Sequence, residues 1–201
     1  MGSRLILASK SPRRYELLKQ AGLDFEVIPS RIEEDFIAEE SPEQHVIRLA
    51  EAKALEVGNR YPDRWVIAAD TIVYIDGSIF GKPENREKAL EMLRRFSGRE
   101  HWVMTGFSVH HLEKEMGDRE AVKTAVKVKP LTPVEVDWYV QTGEPFDKAG
   151  GYAIQGAGSF MIESIRGSYT NVVGIPLCEL IQMLIRLGAL SISECGFRIS
   201  D

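Results

Sequence analysis

The sequence predicts an α/β protein in which a mixed sheet is flanked by helices. Three observations carry that prediction. Apolar, strand-like runs alternate with amphipathic helical segments. The helical segments open on capping residues. Hairpin-like turns interrupt the alternation, so not every strand is followed by a helix and the sheet cannot be purely parallel.

Taken in order, LILA at 5–8 is a short apolar strand running into Ser11, a good N-cap. Pro12 fits the first helical position, and Leu17, Leu18 and Ala21 form an apolar stripe. Phe25 to Pro29 is the next strand. SPEQ at 41–44 has a capping-box pattern, and a long helix to about Asn59 follows. WVIAADTIVYI, residues 65–75, reads as a buried strand with one polar break at Asp70-Thr71, and Asp76-Gly77 as a hairpin turn. Ala89, Met92, Leu93 and Phe96 share one face of a helix over 85–96. Strands over 101–112 and 119–128 are expected to pair antiparallel across Gly117-Asp118. Thr132 and Glu135 start another capped helix that ends near Gly143. Two strands are expected near 152–155 and 159–165, and a last helix from about Pro176 to Leu187 stops at Gly188. Residues 189–201 read as a loosely attached tail, which leaves one domain over 1–188.

The 201 residues are 44% hydrophobic and 27% charged, an ordinary globular composition and long enough for a sizeable core. A net charge of −5 argues against sequence-blind binding of nucleic acid polymers, but leaves room for a small anion in a locally basic cleft. The start MGSRLILAS lacks the apolar core of a signal peptide, and no run is long enough to span a membrane. With only Cys178 and Cys195, a cytoplasmic protein with reduced thiols is expected.

Several residues stand out chemically. Arg13 and Arg14 occupy the first turn of a helix, where the macrodipole is positive and cations are disfavoured by roughly 0.3–1 kcal/mol each. They make better sense if an anion docks there; the alternative is two solvated arginines on a helix shoulder. Asp70 interrupts an apolar strand, where an unpaired carboxylate is costly; it is either functional, or it caps a turn or pairs with a buried lysine. Lys82 lies on a loop, GKP, that only superficially resembles a P-loop: the glycine spacing is one residue short and Pro83 replaces the metal-binding hydroxyl. Residues 144–176 are glycine-rich and place Gln155, a paired donor and acceptor suited to a nucleobase edge, between Ile154 and Gly156. One carboxylate of Glu33, Glu34 and Asp35 facing Asp70 would make a site for a hard cation such as magnesium. By local pattern Lys53 is a surface lysine on the long helix. No zinc spacing and no Ser/His/Asp arrangement is present.

Three segments in combination, LILASKSPRRYELLKQAGLDFEVIPS, AADTIVYIDGSIFGKP and DKAGGYAIQGAGSFMIESIRGSYTNVVGIPL, resemble the Maf family of nucleotide pyrophosphatases over roughly residues 4–187. The resemblance implies an elongated α/β fold like the inosine triphosphate pyrophosphatases, with two lobes around a deep cleft, and a homodimer. It implies hydrolysis of nucleoside triphosphates between the α and β phosphates, with Mg2+ or Mn2+ as divalent cofactor. By motif, Ser9, Arg13 and Arg14 belong to the phosphate-binding start, and Asp70 matches the proposed proton acceptor. Glu33, Lys53 and Lys82 match the other charges around metal and phosphates, with Glu33 and Asp70 as the metal-holding carboxylates. Arg13, Thr71 and Gln155 match positions linked to base specificity. SPRR, ADT and AIQG look like the subgroup that prefers dTTP and UTP rather than 7-methyl-GTP. The rival readings are a nucleotide-binding division-control module without turnover, and a phosphatase that releases orthophosphate.

Overall fold

A computed structural model describes residues 4–35, 37 and 39–191. The strands are β1 (Leu5–Leu7), β2 (Phe25–Val27), β3 (Trp65–Ile75), β4 (Ser78–Phe80), β5 (Glu100–His111), β6 (Met116–Val128) and β7 (Ile162–Arg166). The helices are α1 (Pro12–Gln20), α2 (Pro42–Arg60), α3 (Arg86–Phe96), α4 (Pro133–Gln141), α5 (Tyr169–Val173) and α6 (Leu177–Arg186). The strands form one mixed sheet in the order β2-β1-β3-β5-β6-β7, with β4 paired to β3. β1 runs parallel to β2 and β3, while β4 is antiparallel to β3 and β7 antiparallel to β6.

Local chemistry explains most element ends. Ser11, Ser41, Asn85 and Thr132 each accept a backbone N–H at the start of their helix, and Ser41 and Thr132 complete capping boxes with Gln44 and Glu135. The expected turn after β3 forms with Asp76 at φ 50° and Gly77 at φ 76°.

Two expectations are corrected. The β5–β6 connection falls at residues 112–115, not at Gly117-Asp118, and Gly117 lies inside β6. A Cβ on Gly117 would stand 2.1 Å from the His110 ring, so this glycine serves a close approach rather than a turn. No strand forms at 152–155; three short 3₁₀ turns span Glu144–Asp147, Ala149–Gly151 and Gly156–Met161 before β7 begins. Helix α5 was not anticipated, being a single short turn pair without a periodic apolar face. The tail expected beyond 188 lies, from residue 192 on, outside the described residues, and Cys195 with it. Cys178 is exposed.

The chain divides into two compact units, and β3, β5 and β6 each contribute to both. The first takes the described residues up to Asp70, Thr105–Ala121 and those from Gly174. Its core packs Ile6, Ala8, Val66 and Ala68 from the sheet against Ala54 and Val57 of α2. Gly106 permits a close approach of α2, since a Cβ there would meet the Val46 backbone at 2.4 Å. The second unit, Thr71–Met104 with Val122–Val173, packs α3 and α4 residues Leu93, Phe96, Val136 and Tyr139 against Val73, Val103, Val126 and Met161.

Within the second unit His101 is 1% exposed. Its Nε2 lies 2.6 Å from the Tyr152 hydroxyl, and its Nδ1 has no hydrogen-bond partner. Burial pushes the imidazole down from 6.5 to about 4. The unfolded chain therefore binds a proton that the folded one refuses, and stability falls as pH drops from about 6.5 towards 4. The expected loss from this residue between pH 7 and pH 5 is about 2 kcal/mol. Urea unfolding at the two pH values measures it, and His101→Gln should flatten that part of the profile.

Candidate functional site

The densest charge cluster of the first unit is built around Lys53. The residue sits on the buried face of α2, between Ala50, Ala54 and Val57, so its stem is part of the core and its ammonium must find carboxylates. Lys53 Nζ donates to Asp70 Oδ1 at 2.8 Å and to Glu34 Oε1 at 2.5 Å. Asp70 is 6% exposed and Lys53 7% exposed. The reading of Lys53 as a surface lysine is thus corrected: α2 packs too closely on the sheet for that face to reach water. Asp70 does pair with a buried lysine, the alternative that its place in an apolar strand left open.

Glu34 was not singled out within its acidic run, and the structure brings it, rather than Glu33, to Lys53. Both glutamates are largely exposed along an irregular segment, where no periodicity tells which side chain turns inward. That segment is held against α2 at two points: Glu56 Oε2 accepts from the Arg31 amide at 3.2 Å, and Arg48 donates to the Asp35 carbonyl at 2.9 Å. Arg48 is itself fixed by two hydrogen bonds to Glu40, and this contact holds the Glu40 carboxyl below its usual range.

At the start of α1, Ser9 is buried and its hydroxyl accepts from the Ser11 amide and from Arg14 Nη1, each at 3.2 Å. Arg14 Nε donates to the Gly174 carbonyl at 2.7 Å. Burial lowers the Arg14 guanidinium from its ordinary value, Asp70 and Glu34 oppose that shift through their charges, and Arg13 adds to it. Ser9, Arg14, Glu34, Lys53 and Asp70 are therefore one electrostatic group, with Arg13 on its border.

Thr71, Lys82 and Gln155 belong to the second unit. Thr71 follows Asp70 directly in β3. Lys82 is exposed after β4. Gln155 is exposed, and its Nε2 donates to the Tyr169 hydroxyl at 3.1 Å.

Asp70 and Glu34 converge on the Lys53 ammonium, and carboxylate oxygens are ligands of the kind magnesium prefers. Among the described residues no group of three or more His, Cys, Asp or Glu side chains is gathered closely enough to hold an ion alone. Phosphate oxygens and water would have to complete the shell, the usual situation for magnesium. Among those residues, too, no helix is long and apolar enough to cross a membrane.

A family model described as Maf-like protein matches residues 4–187. This chain belongs to the Maf family. A protein of Syntrophus aciditrophicus (strain SB) named dTTP/UTP pyrophosphatase is 50% identical over 190 residues, covering 94% of this chain and 93% of the relative. Relatives of the same name from Geotalea uraniireducens (strain Rf4) and Geobacter sulfurreducens (strain ATCC 51573 / DSM 12127 / PCA) are 49% and 50% identical, covering 94% and 93% of this chain and 97% and 98% of their own lengths. The Staphylococcus aureus Ham1 protein aligns over 79% of each chain with a TM-score of 0.43 and 16% identity, too distant to bear on the site. The Maf match includes every charged residue of the Lys53 cluster.

Removing Lys53 alone would leave the Asp70 carboxylate buried without its counter-charge. Lys53→Met is expected to cost about 3–5 kcal/mol, the range for breaking a buried ion pair from one side. Lys53→Met with Asp70→Leu should recover part of that loss, because neither member of the pair is then left without its counter-charge, while Arg14 loses the Asp70 charge that opposes the cost of its burial. Urea unfolding of the two variants beside the parent checks both statements.

Proposed function

We propose that this chain hydrolyses dTTP and UTP to the nucleoside monophosphate and diphosphate. The observation that carries the reading is the Lys53 cluster: a buried carboxylate, oriented by a hydrogen bond from an ammonium, beside the arginine-bearing start of α1. The identity of about half the chain to relatives named dTTP/UTP pyrophosphatase supports it.

In this reading Ser9, Arg13, Arg14 and Lys82 receive the phosphate oxygens, and the α1 N-terminus adds its unpaired N–H groups. The attacking water forms a new bond from its oxygen to the α-phosphorus. The bond from that phosphorus to the bridging oxygen breaks, and diphosphate leaves with the bond's electron pair. Asp70 takes the water proton. Lys53 holds Asp70 Oδ1, so the other carboxylate oxygen is the one offered to the water. Glu33 and Asp70, with Glu34 beside them, would hold a divalent cation, magnesium or manganese. Such a cation draws negative charge from the phosphate oxygens.

Gln155, with Arg13 and Thr71, is assigned to the base. A carboxamide answers two adjacent donor and acceptor groups on the uracil or thymine edge. Uracil and thymine differ by one methyl group, worth only about 1–3 kcal/mol, so both nucleotides should be used. A single domain over residues 1–188, a homodimer and a cytoplasmic setting belong to the same proposal.

Chromatography of products from dTTP and UTP, with magnesium or manganese and with a chelator, tests the reaction. Monophosphate and diphosphate are expected, and chelation should abolish turnover. Nucleoside diphosphate with orthophosphate as the main products would overturn the assignment, and binding without products would make the chain a nucleotide-binding module. Asp70→Asn keeps the size of the side chain and is expected to lower kcat on the order of 10²–10⁴-fold. Near-normal turnover in that folded variant would remove Asp70 as the proton acceptor. Gln155→Ala is expected to narrow the preference for dTTP and UTP over CTP and GTP, read as kcat/KM for each nucleotide.

A further inference from the structure

The segment around Gln155 belongs to no strand or α-helix, so its backbone polar groups need partners from elsewhere. Two side chains supply them. The Ala153 amide donates to the Tyr139 hydroxyl at 3.2 Å. The Ala157 amide donates to Glu144 Oε2 at 3.0 Å, and the Gly158 amide to Glu144 Oε1 at 3.1 Å. The Tyr139 hydroxyl in turn donates to Glu144 Oε1 at 3.0 Å, which joins the two anchors. Gln155 is thus bracketed on both sides by amides tied to one tyrosine–carboxylate pair.

The glycines of the segment are spaced for this pair. Gly156 has φ 70°, and a Cβ on it would stand 2.8 Å from Glu144 Oε2. A Cβ on Gly158 would stand 2.6 Å from the Ala153 carbonyl oxygen and 2.7 Å from the Tyr139 hydroxyl. Any side chain at either position would push the backbone off its anchors. The anchors have further contacts of their own. Tyr139 is fully buried on α4, and burial together with the Glu144 charge pushes its hydroxyl up, so it stays a donor. Glu144 is set directly after Gly143, which has φ 76°, and the Lys148 ammonium holds its carbonyl at 2.8 Å.

The Gln155 carboxamide, by contrast, is exposed. An exposed glutamine has several rotamers, and a base edge is read well only when the carboxamide starts from a fixed backbone. We propose that Tyr139 and Glu144 are positioning residues that set base choice by fixing the backbone on either side of Gln155. The proposal rests on the reading that Gln155 meets the base. Neither residue touches the nucleotide in this account; their effect passes through the Ala153, Ala157 and Gly158 amides.

Tyr139→Phe tests it, because it removes one oxygen from a buried ring and leaves the ring's packing. The assay is kcat/KM for dTTP, UTP, CTP and GTP, with the inhibition constant of inorganic pyrophosphate as a measure of the phosphate side. Circular dichroism and thermal unfolding establish that the variant is folded. The expected result is a fall on the order of tenfold in the preference for dTTP over CTP, with pyrophosphate inhibition unchanged. Combined with Gln155→Ala, Tyr139→Phe should then add nothing further, since both act on one contact. An unchanged preference, or an additive effect in the double variant, would overturn the positioning role while leaving Gln155 at the base. A Gln155→Ala variant that keeps the parental ranking would overturn the base assignment itself, and this proposal with it. If Tyr139→Phe does not fold, Glu144→Gln, which keeps the size but turns one acceptor into a donor against a backbone amide, takes its place in the same assay with the same outcomes.

Discussion

An ammonium and a carboxylate, each less than a tenth exposed, stand 2.8 Å apart where the buried face of α2 meets β3. Each would be expensive alone in those surroundings, and together they are tolerable because the geometry is good and Glu34 takes a further ammonium proton. The neighbouring structure follows from this requirement. α2 must lie close enough to the sheet for a lysine to reach Asp70 rather than water, and Gly106 permits that approach beside Val46. The segment carrying Glu34 must be held in place, and Arg48 and Glu56 hold it from the same helix. A buried pair of this kind contributes little net stability. Its effect is to fix the orientation of the Asp70 carboxylate.

The chain is acidic overall, yet it carries the basic groups that an anionic substrate needs. The positive groups are not spread over a face, as they are in a protein that binds a nucleic acid polymer. Arg14 and Lys53 are held near carboxylates, and Arg14 is tied to Ser9 and to the Gly174 carbonyl. Such charges are partly compensated before any ligand arrives, which limits the desolvation cost of the empty site. A triphosphate brings several negative charges at once and can compete for them; a single exposed carboxylate cannot do so equally well.

The second unit solves a different problem. Its glycine-rich stretch cannot rely on a strand ladder, so buried side chains satisfy its backbone. Glu144 and Tyr139 do this around Gln155, and Thr124 does it before α5, its hydroxyl accepting from the Ser168 amide at 3.1 Å and donating to the Ser168 carbonyl at 3.2 Å. Positions that would read as loop by composition thereby find backbone partners without a strand ladder.

From the sequence alone, the elements with a strong local cause were legible. The capped helices at Ser11, Ser41 and Thr132, the buried strand 65–75 and its Asp76-Gly77 turn are all present, because capping chemistry, hydrophobic period and positive-φ residues act within a few residues of chain. The family was legible too, since motif order survives without any knowledge of contacts. What tertiary structure decided were the features set by groups far apart in sequence. Lys53 is buried because a glycine 53 residues later lets its helix come close. Glu34 rather than Glu33 meets that lysine because two residues of α2 set the path of an aperiodic segment. Residues 152–155 are expected as a strand but pair with none; the Ala153 amide goes instead to Tyr139, and the Ala157 and Gly158 amides beyond go to Glu144. Local sequence specifies which conformations are cheap; which side chain finds its counter-charge or its acceptor is settled only when distant segments are packed together.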